Sequence, residues 1–443
     1  MDFLKQLALP QSAAQIEVLH FVMNFVQILF LPFASYLFGA LALSLYYGRK
    51  GRKQNDINAL HFAKDVIDHV LPNKSILFLF GVVPYITLVF AYAQLLQGTD
   101  SISVSVLTWG LLFYIAGSAF ASSYHSAFKL SSVLETIKQG NEEISVFRTE
   151  LSEQKRTSGK YSFLFVFTGI FFLFAGTTLA SEPAQWSSVT TVVELAFSLA
   201  VFVKFLQFIL LSLAVATVGT LFFTFSWEGG RKNIAPDYAA FVKSATLPTA
   251  LISILILPVF LVLSVVVSPV AGLSGFVFIA SVIGIFFLFL TSHYVYAMMK
   301  SFESKYAALA FYVLVFSVVS IVLADTNTFA GATKKHSSFL AYQYDKHHEE
   351  LLAAMGISLK VITGEEIFTA KCSACHEFGI KKVGPAYKDV LPKYENDRAK
   401  LLSFVLNPQK MDPAFPPMPN QGLKPAEADS IAAYIMRMYK APK

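Results

Sequence analysis

The sequence has 443 residues, of which 55% are hydrophobic and only 14% are charged, whereas an ordinary soluble domain carries roughly 25% charged residues. This balance excludes a soluble globular protein and makes a lipid bilayer the solvent for most of the chain. The formal net charge of +6 must therefore be interpreted by position, and two cysteines within one short stretch exclude a disulfide framework.

Several apolar stretches are long enough to cross a membrane, which takes about 20 mostly apolar residues for roughly 30 Å of hydrocarbon. We predict a mainly α protein with a polytopic bundle of about eight transmembrane helices. The first span is expected to be retained, because no basic segment precedes it as in a cleaved signal. The predicted spans are residues 18–47, 75–97, 102–128, 161–181, 191–226, 246–268, 273–299 and 307–325.

Lysine and arginine alternate between the two sides of this predicted bundle. They are concentrated after the first, third, fifth and seventh spans, whereas the connections at 97–101, 181–188 and 268–274 contain none. By the positive-inside rule the basic connections are cytoplasmic. We therefore expect both termini on the periplasmic side of a bacterial inner membrane.

Polar residues within the spans are candidates for a further role, because each is costly in hydrocarbon. His20 shares one helix face with Asn24 and Gln27 near the outer end of the first span, and His125 and His293 lie near the inner ends of the third and seventh. The two inner histidines are candidate ligands of a b-type haem, and His20 is a candidate for an outer haem or quinol site. The alternative is that they reach towards lipid headgroups or satisfy hydrogen bonds between helices.

Other polar residues carry weaker signals. Three lie in the predicted fifth span: Glu194, Lys204 and Gln207. Residues 131–160 mix charges with a weak apolar period, which favours a helical hairpin outside the membrane. His61 and His69, in a basic connection, are expected to be solvated.

The composition changes after the last span, which divides the chain. We assign residues 1–325 to the transmembrane domain, the polar segment 326–359 to a periplasmic linker helix, and the charged, proline-containing segment 360–443 to a small domain. About 85 residues are enough for such a domain.

Residues 372–376 (CSACH) form a C-x-x-C-H motif, the attachment sequence of a c-type haem. Two thiols one helical turn apart can each bond a haem vinyl group, and the adjacent His376 presents a ring nitrogen to the iron. A zinc or thioredoxin-type site is the alternative, but a closed zinc site would need a second ligand pair that the sequence lacks. The motif predicts one covalent haem held by Cys372 and Cys375.

The segment 360–443 resembles the class I cytochrome c family, through the C-x-x-C-H motif, Gly384-Pro385, the proline-rich loop at 415–419 and a closing helix at 426–439. The resemblance implies that Met418 is the second axial iron ligand, with Met411 as its rival. It also implies that the Pro385 carbonyl accepts a hydrogen bond from the His376 ring, which fixes the tautomer. Such a haem, with both axial positions filled, carries electrons and binds no substrate.

The first and fifth spans bear a second, partial resemblance, to the large subunit of cytochrome bd-type quinol oxidases. It rests on residues 30–33 and 46–48 in the first span and on 203–207 and 227–231 around the end of the fifth. In that family these helices carry haem-ligating histidines, where this sequence has Gln27 and Gln207. Because glutamine is a poor haem ligand, this makes dioxygen reduction doubtful.

These features together predict a membrane-bound electron-transfer subunit of a respiratory or photosynthetic complex. It would carry electrons between a membrane quinol, b haem or partner site and a periplasmic donor or acceptor. The alternatives are a divergent bd-like oxidase or reductase subunit, and a cofactor-free scaffold that tethers the cytochrome. We expect membrane lipid, other subunits and a redox protein as partners, and no nucleic acid. The expected cofactors are haem c, with haem b and quinone as further candidates.

Overall fold

The computed structural model describes residues 11–135, 142–231, 234–355, 363–395 and 397–440, and every helix or strand assigned within these ranges is a helix. The helices are α1 (Ala13–Gln54), α2 (Ile57–Val70), α3 (Lys74–Leu95, with a π-helical turn at Phe78–Val82), α4 (Ser103–Glu135), α5 (Glu142–Ala180), α6 (Val192–Ala196), α7 (Leu199–Phe225), α8 (Pro236–Val266), α9 (Gly275–Lys300), α10 (Ser304–Ala332), α11 (Lys334–Ala354), α12 (Gly364–Ile367, continued by a π-helical turn at Phe368–Cys372), α13 (Tyr387–Val390), α14 (Arg398–Leu406) and α15 (Pro425–Lys440). Short 3-10 turns lie at Pro183–Gln185, Trp227–Gly229, Val270–Gly272 and Leu391–Tyr394.

Eight helices of the described chain are long and apolar enough to cross a membrane: α1, α3, α4, α5, α7, α8, α9 and α10. The prediction of a mainly α protein with about eight spans is confirmed. In the most apolar 18-residue stretch of each helix, 61% of the residues of α1 and of α7 are buried, the largest share among these helices. In α9 the buried share is only 33%. Because little of α9 is covered by its neighbours, most of its surface remains for lipid or a partner.

Helix ends extend beyond several predicted spans, and at two span boundaries the difference changes the position of polar residues. Glu194 lies outside the fifth span, in the short helix α6, because the backbone at Ser198 is extended and α7 begins only at Leu199. Helix α10 continues to Ala332, past the polar residues at 326–328. Their side chains bond carbonyl groups of their own helix, for example Thr326 to Val322 at 2.8 Å, so the helix need not end there.

Glycines allow two of the spans to approach closely. Helices α4 and α5 pack against each other along their length, and a Cβ atom at Gly169 would lie only 2.8 Å from the backbone nitrogen of Tyr114. Small residues are enriched at helix interfaces in membranes for this reason. Both helices also extend beyond their apolar parts, where Ala127, Leu134 and Leu151 pack together.

A polar network lies outside the spans, at the ends of the helices that the basic connections join. Asp65 on α2 accepts hydrogen bonds from Arg231 and Tyr238, each at 2.5 Å, and Arg231 also lies 2.9 Å from Nε2 of His69. His69 is therefore not solvated as predicted, because it packs under Arg231 and against the ring of Phe223. His61 is exposed, as expected.

The chain divides into two compact units, formed mainly by Glu17–Lys334 and by Lys335–Lys443. The second unit has its own apolar core, in which α12 and α14 both pack against α15. The core includes Ile367, Cys372, Leu391, Tyr394, Leu401, Val405, Ala428, Ile431, Ala432 and Ile435. Gly364 makes the contact between α12 and α15 close, because a Cβ atom there would collide with the Ser430 carbonyl oxygen.

Candidate functional site

The C-x-x-C-H segment forms a tight turn at the end of the first helix of the small domain. That helix begins with a capping box, in which Thr363 and Glu366 satisfy each other's backbone N–H groups. The backbone N–H groups of Cys375 and His376 both donate to the Cys372 carbonyl oxygen, at 3.1 and 2.9 Å. Both cysteines are free thiols, and the turn brings them together with the histidine.

The His376 ring is held from two sides. Its Nδ1 atom lies 3.1 Å from the Pro385 carbonyl oxygen, and its plane stacks on the Tyr387 ring with centroids 5.1 Å apart. A carbonyl oxygen can only accept, so Nδ1 carries the proton and Nε2 presents a lone pair. This is the tautomer that a metal ligand needs.

Gly384 lies directly against the His376 ring. Its backbone N–H donates to the Cys375 carbonyl oxygen at 2.9 Å, which folds the following loop back over the motif. A Cβ atom at this position would overlap the ring, with Nδ1 only 2.8 Å away. Glycine is therefore required here by space.

The two candidate methionines differ in exposure. Met411 is 64% exposed, whereas Met418 is half-buried within the proline-rich loop. Two contacts hold the residues that directly follow that loop: the Asn420 side chain donates to the Leu406 carbonyl oxygen, and Lys371 donates to the Gln421 carbonyl oxygen. A held, half-buried thioether is the better candidate ligand of the two.

Burial sets the protonation of two groups beside the motif. It raises the pKa of the Cys372 thiol, an effect that the Lys371 charge partly offsets, so the thiol is neutral at pH 7. Burial also raises the pKa of the Tyr387 hydroxyl, which therefore stays protonated while its ring supports His376.

Comparison with known proteins assigns this domain. The cytochrome c family profile matches residues 361–438. The chain is 39% identical to cytochrome c-551 of Pseudomonas denitrificans over 80 residues, which are 17% of this chain and 98% of that protein. It is 34% identical to cytochrome c-552 of Hydrogenobacter thermophilus over 91 residues, which are 19% of this chain and 92% of that protein. The chain belongs to the cytochrome c family.

Membership in the cytochrome c family implies a covalent haem c, electron transport and redox partners, and the eight apolar helices imply contact with lipid. The residues present fit the group. The cytochrome c domain offers two free thiols on one turn, an imidazole with a free Nε2 lone pair and a half-buried thioether. When bound, haem c supplies an iron that gains and loses one electron.

The membrane unit places its three predicted histidines in different surroundings. His125 is buried, with Nε2 2.9 Å from Asp68, whereas His293 is exposed beside Tyr294. The His20 ring packs on Phe329 with centroids 5.8 Å apart. The two inner histidines thus have different neighbours, and a b haem held by His125 and His293 stays a prediction. The resemblance to bd-type oxidases also stays a prediction.

The sequence reasoning missed one arrangement in the membrane unit. Lys204 on α7 pairs with Asp325 on α10, at 3.3 Å between Nζ and Oδ1. The sequence pattern marks Lys204 as a polar residue within a span, but its partner Asp325 is 121 positions away, at the predicted end of the eighth span. No local pattern links two such residues.

Proposed function

We propose that this protein carries single electrons between a quinol in the membrane and a redox protein on the periplasmic side, within a larger membrane complex. The observation that carries the proposal is the His376 imidazole, whose Nδ1 is tied to the Pro385 carbonyl so that Nε2 is free to bind iron. The same chain contains eight helices that could span a membrane. A soluble carrier would need none of them.

The assignment of haem c ligands is supported by the turn that holds His376 and by the half-buried position of Met418. Cys372 and Cys375 would hold the haem through thioether bonds, and His376 and Met418 would bind its iron. Neutral His/Met ligation favours Fe(II) and raises the reduction potential. A domain whose side chains bind the iron in this way would pass electrons on and would leave no iron position for a substrate.

The distribution of basic residues supports the sidedness. The connections without Lys or Arg lie at the same end of the bundle as the carboxyl end of α10, from which the chain continues to the cytochrome c domain. By the positive-inside rule that end faces the periplasm, where covalent haem attachment takes place. In this orientation the basic connections face the cytoplasm, and both termini lie on the periplasmic side.

The quinol end of the proposal rests on α1. His20 is half-buried near the end of the bundle that lacks basic connections, so its ring is within reach of a lipid-soluble molecule. An imidazole can donate to or accept from a quinol hydroxyl group. The electrons would leave the quinol one at a time, through a partner or directly, to haem c.

Cofactor analysis of the purified full chain tests this proposal first. We expect one haem c per chain in a pyridine haemochrome spectrum, and reduction of that haem when a short-chain quinol is added to the protein in its complex. An additional high-spin, CO-binding b or d haem would favour the bd-like oxidase alternative. One haem c that no quinol reduces, alone or with partner subunits, would favour the scaffold.

A matched pair of variants tests the quinol site. His20→Ala should slow reduction of haem c by quinol at least tenfold, while His61→Ala, at an exposed ring at the opposite end of the bundle, should leave it unchanged. Equal rates in both variants and the wild type would remove His20 from the pathway.

A further inference from the structure

Polar side chains from five membrane helices converge on one cavity. It is lined by Gln27 of α1, Tyr92 of α3, Thr177 of α5, Lys204 of α7, and Asp325 and Thr326 of α10, with apolar residues between them. The residues on α3, α5 and α7 lie near helix ends that connections without Lys or Arg join, and those on α1 and α10 line the same cavity. Such convergence is unusual in hydrocarbon, where each polar side chain is costly.

The cavity contains an ion pair that is buried on one side only. The Lys204 side chain is 9% exposed and the Asp325 side chain is 35% exposed, with Nζ and Oδ1 3.3 Å apart. The carboxylate is thus the partner that the outside can reach. The ammonium group lies behind it, where it holds a negative charge in place.

The other groups around Asp325 are polar but uncharged, or lie further out. Tyr92 hydrogen-bonds with Gln27 and adds its hydroxyl beside the carboxylate, and the Thr326 hydroxyl donates to Asn24. Glu182 follows Ser181 at the cavity wall, and burial raises the pKa of its carboxyl while the Lys204 charge opposes this. His20 packs one turn further along α10, on Phe329.

The size of the cavity decides what it can hold. Its volume is about 50 Å³. A buried water molecule needs roughly 10–15 Å³ of such space, so the cavity takes on the order of three to five waters. A quinol head group or a haem is far larger, and a metal cation would compete with the ammonium group already there.

We propose that this cavity is a hydrated proton-exchange site, in which Asp325 takes up a proton from cavity water and returns it to the end of the bundle without basic connections. On uptake, the Asp325 carboxylate and a hydronium ion become a carboxylic acid and water, and the reverse step releases the proton. The proposal goes beyond electron transfer and does not depend on quinol, because it gives the membrane unit an acid–base activity of its own.

Infrared pH titration of the full-length protein in lipid tests the proposal. On acidification the wild type should develop a carboxylic C=O band that shifts to lower frequency in D2O, and Asp325→Asn should lose this band. The control variant Glu194→Gln removes an exposed carboxyl group at the same end of the bundle and should keep the C=O band. An unchanged helical circular-dichroism spectrum and a single elution peak in size-exclusion chromatography, measured on the same samples, report that the membrane unit of each variant is folded.

The double variant Lys204→Met with Asp325→Asn separates this role from a purely structural ion pair. Each single change leaves one charge without its partner and should lower the unfolding temperature, whereas the double variant should recover stability but still lack the band. The proposal is overturned if acidification of the folded wild type gives no Asp325-dependent band. A band that does not exchange in D2O would equally overturn it, because it would show a dry carboxyl group.

Discussion

At His376, a single hydrogen bond decides what the imidazole can do. With Nδ1 tied to the Pro385 carbonyl oxygen, the ring cannot rotate or change tautomer without leaving a carbonyl unpaired. Stacking on Tyr387 adds a second restraint. The ring is thus oriented before any metal binds, and restraints of this kind are commonly as important to a metal site as the ligands themselves.

The identity of the second axial ligand can be tested with two matched methionine variants. Met418→Ala should abolish the long-wavelength absorption band that Fe(III) gives with a thioether ligand. It should also lower the reduction potential by on the order of 0.1 V, a fraction of the roughly 0.8 V range that axial ligands set. Met411→Ala, at an exposed position, should leave both unchanged. Loss of the band in Met411→Ala instead would exchange the roles of the two residues.

Two glycines of the cytochrome c domain test the fit around His376. Gly384→Ala places a methyl group into the His376 ring, and we expect a loss of on the order of 1–3 kcal/mol in the free energy of unfolding, with less haem per chain. Gly379→Ala is the control, because a Cβ atom there has no neighbour within 4 Å. Thermal unfolding and haem staining would measure both effects, and equal behaviour of the two variants would contradict this account.

At the scale of elements, helix α2 ties several spans together outside the membrane. Its Asp65, Asp68 and His69 contact Arg231 and Tyr238 near α7 and α8, and His125 on α4. Burial, with the Arg231 charge next in size, lowers the pKa of His69 from 6.5 to about 4. The folded protein therefore holds this ring neutral.

This depressed pKa predicts how stability depends on pH. Between pH 6.5 and about 4 the unfolded chain binds a proton at His69 and the folded chain does not, so stability falls as the pH falls through this window. The slope for one such group is at most about 1.4 kcal/mol per pH unit. Unfolding temperatures in detergent should fall less steeply in His69→Gln, while the control His61→Gln, at an exposed ring, should follow the wild type.

The membrane helices show which element boundaries a sequence can define. Apolar length located every span, because hydrocarbon thickness requires it. Helix α10 ends at Ala332, seven residues after the predicted end at 325, because its polar side chains bond back to their own helix and let it continue. Helix α7 begins at Leu199, after the predicted start at 191, because the backbone is extended at Ser198, and the apolar pattern gives no sign of this break.

At the scale of the whole molecule, the two units differ in the solvent that surrounds them and in what stabilises them. The membrane unit has apolar helices suited to lipid, and the cytochrome c domain has an apolar core of its own. The cytochrome c domain has its own core, and 80 residues of the chain match nearly the full length of a free-standing cytochrome. This apolar core gives the cytochrome c domain a source of stability that does not depend on the membrane helices.

Separation of the units is therefore expected to preserve the haem site. Residues 360–443 exported alone to the periplasm should be soluble, carry one haem c and show the same absorption spectrum as the full chain. Residues 1–334 alone should sediment with membranes. Fractionation with haem staining would measure both, and an aggregated or haem-free C-terminal segment would show that the membrane unit is needed for the domain to fold.

The amino-acid sequence by itself determined the solvent of each part, the number of spans, and the haem motif with its methionine candidates. These are local properties, set by apolar length and by the spacing of a few residues along the chain. Only the tertiary structure decided that Met411 is exposed, that Gly384 supports His376, that Arg231 covers His69, and that Lys204 meets Asp325 in a water-sized cavity. Those contacts join residues from different turns and helices, and packing in three dimensions alone brings them together.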